Sequence, residues 1–139
     1  MIDFYSDAFN FADLVELMAF LRAPEGCPWD AAQTHESIRR NFIEEVYEAV
    51  EAIDNHDVPL LKEELGDVLL QVIFHSIIGT EDNEFGFDDV VDGCARKMIF
   101  RHSHVFGDVD AQDCKGSCQI NCLRGFLVRQ QKVCLMRLL

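Results

Sequence analysis

Positive charge is scarce in this chain. Twelve lysines and arginines stand against twenty-five aspartates and glutamates, for a formal net charge of −13. That balance argues against a nucleic-acid surface. It leaves room for a nucleotide, because carboxylates hold cations that in turn hold phosphates. Long apolar runs are missing too. The longest, Val68 to Ile78, is broken by Gln71, His75 and Ser76 and is too short to span a bilayer. No basic segment followed by an apolar run opens the chain, so no signal peptide is expected. The expectation is a cytoplasmic protein with neither a membrane nor a nucleic-acid partner. Strand-like alternation, internal repeats and low-complexity segments are also absent.

Cysteine is sparse over most of the length. Residues 1–111 contain only Cys27 and Cys94, which are read as reduced, inert thiols. The paired C-x-x-C spacing of zinc sites does not occur. The other four, Cys114, Cys118, Cys122 and Cys134, lie beyond residue 111. Residues 1–111 also carry 24 of the 25 acids but only 7 of the 12 basic residues. Charge balance therefore reverses near Gln112. Residues 1–111 are read as one domain, long enough for a real core. Residues 112–139 are read as an atypical, basic, Cys-rich tail, a divergent or frameshifted ending.

Helical periodicity dominates the first part. Phe11, Leu14, Val15, Met18 and Leu21 predict an amphipathic helix over 9–21. Pro24, Gly26 and Pro28 predict a loop over 22–32, with Trp29 as an anchor pinning it to the helices. Thr34 is the expected N-cap of a helix running to about Ile53. Its expected inward stripe is Ile38, Phe42, Val46, Ala49 and Ile53. A short turn follows, and Pro59 suits the start of a central helix over 60–78. After an acidic loop over 79–86, Asp88 is the expected cap of a helix reaching about Arg101. Val91, Cys94 and Met98 are its expected inward residues. The reading is an all-α, four-helix-bundle-like chain.

Acids sit at two helical spacings. Glu44, Glu45 and Glu48 lie three and four residues apart on one helix, and Glu64 and Asp67 three apart on the next. Residues so spaced share a face. At 100° per residue Glu45 lies beside the apolar stripe, Glu48 further round and Glu44 further still. On the central helix Glu64, Asp67, Gln71 and His75 form one polar line. Two such faces packed together crowd several carboxylates into a small volume, which costs free energy unless a cation intervenes. Mg²⁺ suits all-oxygen ligands, with Mn²⁺ as an alternative. On the last helix, Lys97 and Arg101 share a face that fits phosphate oxygens.

These residues also carry a resemblance. The strings are Leu21-Arg22, Gly26-Cys27-Pro28-Trp29-Asp30, Gln33-Thr34-His35-Glu36-Ser37, and the E-E-x-x-E of Glu44, Glu45 and Glu48. Then come the E-x-x-D of Glu64 and Asp67, Gln71 through His75, and Lys97 through Asp108. In this order the chain resembles the MazG nucleotide pyrophosphohydrolases of the all-α NTP pyrophosphatase superfamily. The resemblance implies Mg²⁺-dependent hydrolysis of nucleoside triphosphates to monophosphate and pyrophosphate, in house-cleaning of nucleotide pools. It implies Glu45, Glu48, Glu64 and Asp67 as metal ligands, and Glu44 and Glu45 as catalytic groups. Lys97, Arg101, Trp29 and Arg22 are the substrate-binding candidates. It also implies a homodimer or larger homo-oligomer, with helices shared across the interface. Phe100 and Ser103 depart from the family's R-R-H-P-H-V-F string. The alternative is thus a catalytically impaired, MazG-like dimerisation or nucleotide-binding module.

Overall fold

A computed structural model describes residues 8–106. All of their regular structure is helical, as the periodicity predicts. Six helices follow in order: α1 (Phe11–Arg22), α2 (Pro28–Ala31), α3 (Arg39–Asp54), α4 (Val58–Glu81), α5 (Phe87–Arg101) and α6 (Ser103–Phe106). The chain divides into two compact units, 1–90 and 91 onward. The tail over 112–139 lies outside the described residues. No helix among the described residues is long and apolar enough to cross a membrane.

Local chemistry sets the helix starts. The Asn10 side chain accepts from the backbone N–H groups of Ala12 and Asp13, and Asp13 accepts from that of Asn10. This reciprocal box satisfies donors that the first turn leaves open. Helix α2 is one turn within the expected loop, begun at Pro28, which lacks an N–H to satisfy. Helix α3 begins four residues later than a Thr34 cap predicts, with Ile38 in the cap position. Thr34 N donates to Ser37 Oγ at 2.9 Å and Ser37 N donates back to Thr34 Oγ1 at 3.3 Å. The two hydroxyls close a turn of their own, which competes with helix. Asp57 caps α4 by accepting from Leu60 N at 3.0 Å. At α5 the acid that reaches back is Asp89, which accepts from Gly86 N at 2.8 Å. Asp88, the expected cap, does not make that bond.

In the first unit α3 and α4 form a hairpin, and α1 packs against α4. The core is Met18, Ile38, Ile73, Phe74 and Ile78, with Leu14, Val15, Leu21, Leu70, Ile77 and Phe87 around it. It sits toward the C-terminal half of α4. His35 and His75 tie the turn before α3 to that half. Their Nδ1 atoms are 2.6 Å apart and their ring planes differ by 6°. A hydrogen bond at this contact takes one proton between the two Nδ1 atoms, one ring donating and the other accepting. Burial, and then His35, hold the His75 imidazole below its ordinary 6.5.

Three expectations about facing fail. Of the expected stripe, Ile38 and Ala49 are buried, but Val46 and Ile53 are 44% and 52% exposed, and Ala52 is buried in their stead. The helix has two apolar faces, and its own chain covers only one. Val91, Cys94 and Met98 are all exposed, and α5 buries no residue. Trp29 is 62% exposed and is not the anchor of its loop. Arg22 holds that loop instead, as described below.

Candidate metal centre

Small side chains let the hairpin close. Ala49 and Ala52 are buried on α3, and a methyl group takes little room between helices. Close approach sets Glu45 and Glu48 of α3 against Glu64 of α4. One carboxylate oxygen from each lies within 4.8 Å of the other two. Glu64 is buried, Glu45 half-buried and Glu48 exposed, so the cluster opens outward from a buried floor. Half-buried Asp67 sits one turn beyond Glu64. It is not within that distance of all three, but its charge acts on both Glu45 and Glu64.

The cost of this crowding is visible. Burial raises the Glu45 carboxyl above its ordinary 4.5, followed by the charges of Asp67, Glu48 and Glu44. Burial also raises Glu64, followed by Glu48, Asp67, Glu45 and Glu63. Glu64 Oε2 is buried and accepts no hydrogen bond among the described residues. Gln71 Oε1, one turn past Asp67, is in the same position. A buried carboxylate oxygen without a donor is expensive. A divalent cation supplies what these oxygens need, and an all-carboxylate donor set suits a hard ion. Opposite ligands around Mg²⁺ stand about 4.2 Å apart. The 4.8 Å spread of the triplet is therefore a small side-chain adjustment from ligation. The residues present fit a divalent metal.

A pH dependence follows. A carboxyl raised in the fold binds more protons there than in the unfolded chain. Its effect is to lower stability as pH rises from 4.5 through the folded value. His75 acts in the opposite sense below 6.5. Comparing melts with and without divalent metal cancels the His75 contribution. Metal should raise the melting temperature more at about pH 7.5 than at about pH 5, because only the ionised carboxylates bind it. An equal shift at both values would rule out these acids as the ligands.

The other candidates fall in different places. Glu44 is exposed and pairs with Arg40 one turn back, at 2.8 Å. Lys97 and Arg101 lie one turn apart on α5, both half-buried, in the second unit. Arg22 is nearly buried and bonded to Glu81 and to the α2 segment. Arg22, a substrate-binding candidate by sequence, is engaged in an ion pair with Glu81. Sequence reasoning missed both Arg22–Glu81 and His35–His75. The partners lie 59 and 40 residues apart, and no local spacing announces either pair.

The geometry thus presents an acidic cluster between two helices of an all-α chain. A family model described as the MazG nucleotide pyrophosphohydrolase domain matches residues 33–106. The chain belongs to this family. A Thermotoga maritima relative named nucleoside triphosphate pyrophosphohydrolase/pyrophosphatase MazG is 54% identical over 98 residues, covering 70% of this chain and 38% of the relative. The Bacillus subtilis protein YabN is 50% identical over 104 residues, covering 75% of this chain and 21% of its own length. The Escherichia coli (strain K12) nucleoside triphosphate pyrophosphohydrolase is 42% identical over 101 residues, covering 72% and 38%. The chain therefore spans well under half the length of these relatives. The MazG match takes in the whole acidic cluster, Lys97 and Arg101, while Arg22 and Trp29 precede it.

Proposed function

We propose that this chain hydrolyses nucleoside triphosphates to monophosphate and pyrophosphate with Mg²⁺, or Mn²⁺, bound by Glu45, Glu48, Glu64 and Asp67. The observation that carries the reading is the convergence of three carboxylates on one point, with an unpartnered Glu64 oxygen at its floor. When bound, the metal supplies charge neutralisation of the triphosphate and polarises the attacked phosphorus. Water attacks the α-phosphorus, the α–β anhydride bond breaks, and pyrophosphate leaves. Glu44 and Glu45 are the proton acceptors we assign. Lys97 and Arg101 contact phosphate oxygens, and the exposed Trp29 indole offers a flat surface to the base. The domain proposed for this work is 1–111, acting in the cytoplasm on the nucleotide pool as a homodimer.

Supporting the dimer is a run of exposed apolar residues on the hairpin. Ile43, Val46, Val50 and Ile53 on α3, and Leu65 and Leu69 on α4, are all exposed. Two helices alone leave half of a bundle uncovered. Phe100, standing where the resembling domains carry Arg, favours a second reading, a nucleotide-binding copy without turnover. Incubation with each NTP and Mg²⁺ separates the two. Release of pyrophosphate and monophosphate in equal amounts is the expected result. Tight nucleotide binding with no release would establish the second reading.

A further inference from the structure

The loop between α1 and α3 is held more firmly than its composition requires. Gly26 folds it back on α1: a Cβ there would stand 2.2 Å from Phe20 O and 2.4 Å from Leu21 O. Gly26 N donates to Ala23 O at 2.8 Å and Cys27 N to Leu21 O at 2.7 Å. The main fastener is Arg22, the last residue of α1. Its Nη1 donates to Asp30 O at 2.6 Å and to Gln33 O at 3.2 Å. These carbonyls lie at and just past the end of α2, and the Asp30 carbonyl also accepts from Gln33 N at 3.2 Å. Nε and Nη2 donate to the two carboxylate oxygens of Glu81, at 2.9 and 2.5 Å. The guanidinium carbon lies 5.2 Å from the ring centroid of Phe74, a core residue. Gln33 completes the hold, donating from Nε2 to Trp29 O at 2.9 Å. The carbonyls of Trp29, Asp30 and Gln33 are thus all tied.

The side chain carried by this fixed segment faces solvent. Trp29 as a residue is 62% exposed, whereas the Arg22 side chain is 5% exposed. That reverses the usual pattern, in which tryptophan is packed and arginine reaches water. Placing a guanidinium so deep is costly unless its donors are used, and here they hold backbone in place. We infer that Arg22 is a positioning residue: with Glu81 as its counter-ion, it fixes α2 so that Trp29 is presented to the nucleotide. Arg22 then acts on substrate through Trp29 and does not itself touch phosphate. Glu81 stands at the far end of α4 from the acidic cluster, so the clamp and the metal ligands are separable. This inference rests on the nucleotide reading above.

Trp29 is the chain's only tryptophan, so its fluorescence reports the loop alone. Arg22→Lys keeps the charge but loses the fork. Glu81→Gln keeps Arg22 and weakens its partner, and alters a more exposed side chain. In the nucleotide-free protein both should lower Trp29 emission anisotropy and increase its quenching by acrylamide. Mg²⁺ affinity and helix content should stay at the wild-type level. KM for the NTP should rise about tenfold in Arg22→Lys, with kcat within about twofold, a part of what a base–aromatic stack contributes. The decisive comparison is a double-mutant cycle with Trp29→Ala. If Arg22 acts through Trp29, adding Arg22→Lys to Trp29→Ala raises KM no further. Multiplying effects would show that Arg22 contacts substrate directly and overturn the inference. So would unchanged anisotropy in both clamp variants, or a change in oligomeric state with KM unaltered. Absence of turnover in the wild-type protein would overturn the enzymatic reading instead, and the anisotropy result would still decide the clamp.

Discussion

Glu64→Gln is expected to lower Mg²⁺ affinity by roughly 100-fold or more, since even groups behind metal ligands account for 10–100-fold. Pyrophosphate release should fall at least as far. The same variant should melt at a higher temperature than wild type when both are metal-free. Glutamine keeps the shape of the side chain and removes the charge that burial and Glu48, Asp67, Glu45 and Glu63 all oppose. It also brings an N–H₂ donor to the position where Glu64 has an unpartnered oxygen. The paired signature separates a ligand from a structural acid. A carboxylate that held the hairpin together would destabilise the protein on removal. Calorimetric Mg²⁺ titration and chelator-treated melts of the two proteins make the comparison. Unchanged Mg²⁺ affinity, or a lower metal-free melting temperature, would refute the assignment.

The acids were legible because helical spacing is local. Three- and four-residue separations fix which carboxylates share a face, whatever the helix packs against. The α3–α4 pairing was legible for a related reason: three residues join the helices, and so short a link makes them antiparallel neighbours. The start of α3 was misread because Thr34 has two uses, helix cap and turn, and Ser37 three residues on selects the turn. The inward face of α3 was misread because two apolar stripes share the helix. The expected stripe of Ile38, Phe42, Val46, Ala49 and Ile53 mixes the two: Ile38 and Ala49 are covered with Ala52, while Val46 and Ile53 belong to the exposed row of Ile43 and Val50. Composition favours the larger side chains, but close helix approach favours alanine. Trp29 was misread by the general rule that large aromatics are buried. What holds its loop is Arg22 to Glu81, a contact across 59 residues that only the folded chain brings about.

Val50→Asp is expected to convert the protein to a monomer and to abolish turnover while leaving each hairpin helical. On α3 the exposed positions Ile43, Val46, Val50 and Ile53 follow spacings of three, four and three. Such spacing marks one stripe that asks for another helix. An open apolar groove of about 310 Å³ along the same helix is lined by Phe42, Ile43, Val46 and Tyr47. The stripe lies on the helix that carries Glu45 and Glu48, so a partner hairpin seated on it would build a four-helix bundle beside the acids. It would also shield the cluster, which Glu48 leaves open to solvent in a single chain. Val50 is 46% exposed, so aspartate there should cost the isolated hairpin little. At the centre of an apolar interface the same charge would be desolvated without a partner, weakening dimer affinity by roughly 100-fold or more. Light scattering at micromolar concentration reads the mass, and circular dichroism confirms that the helices survive. A wild-type monomer under those conditions would defeat the interface outright. A Val50→Asp protein that keeps the dimer mass would move the interface to another face of the hairpin.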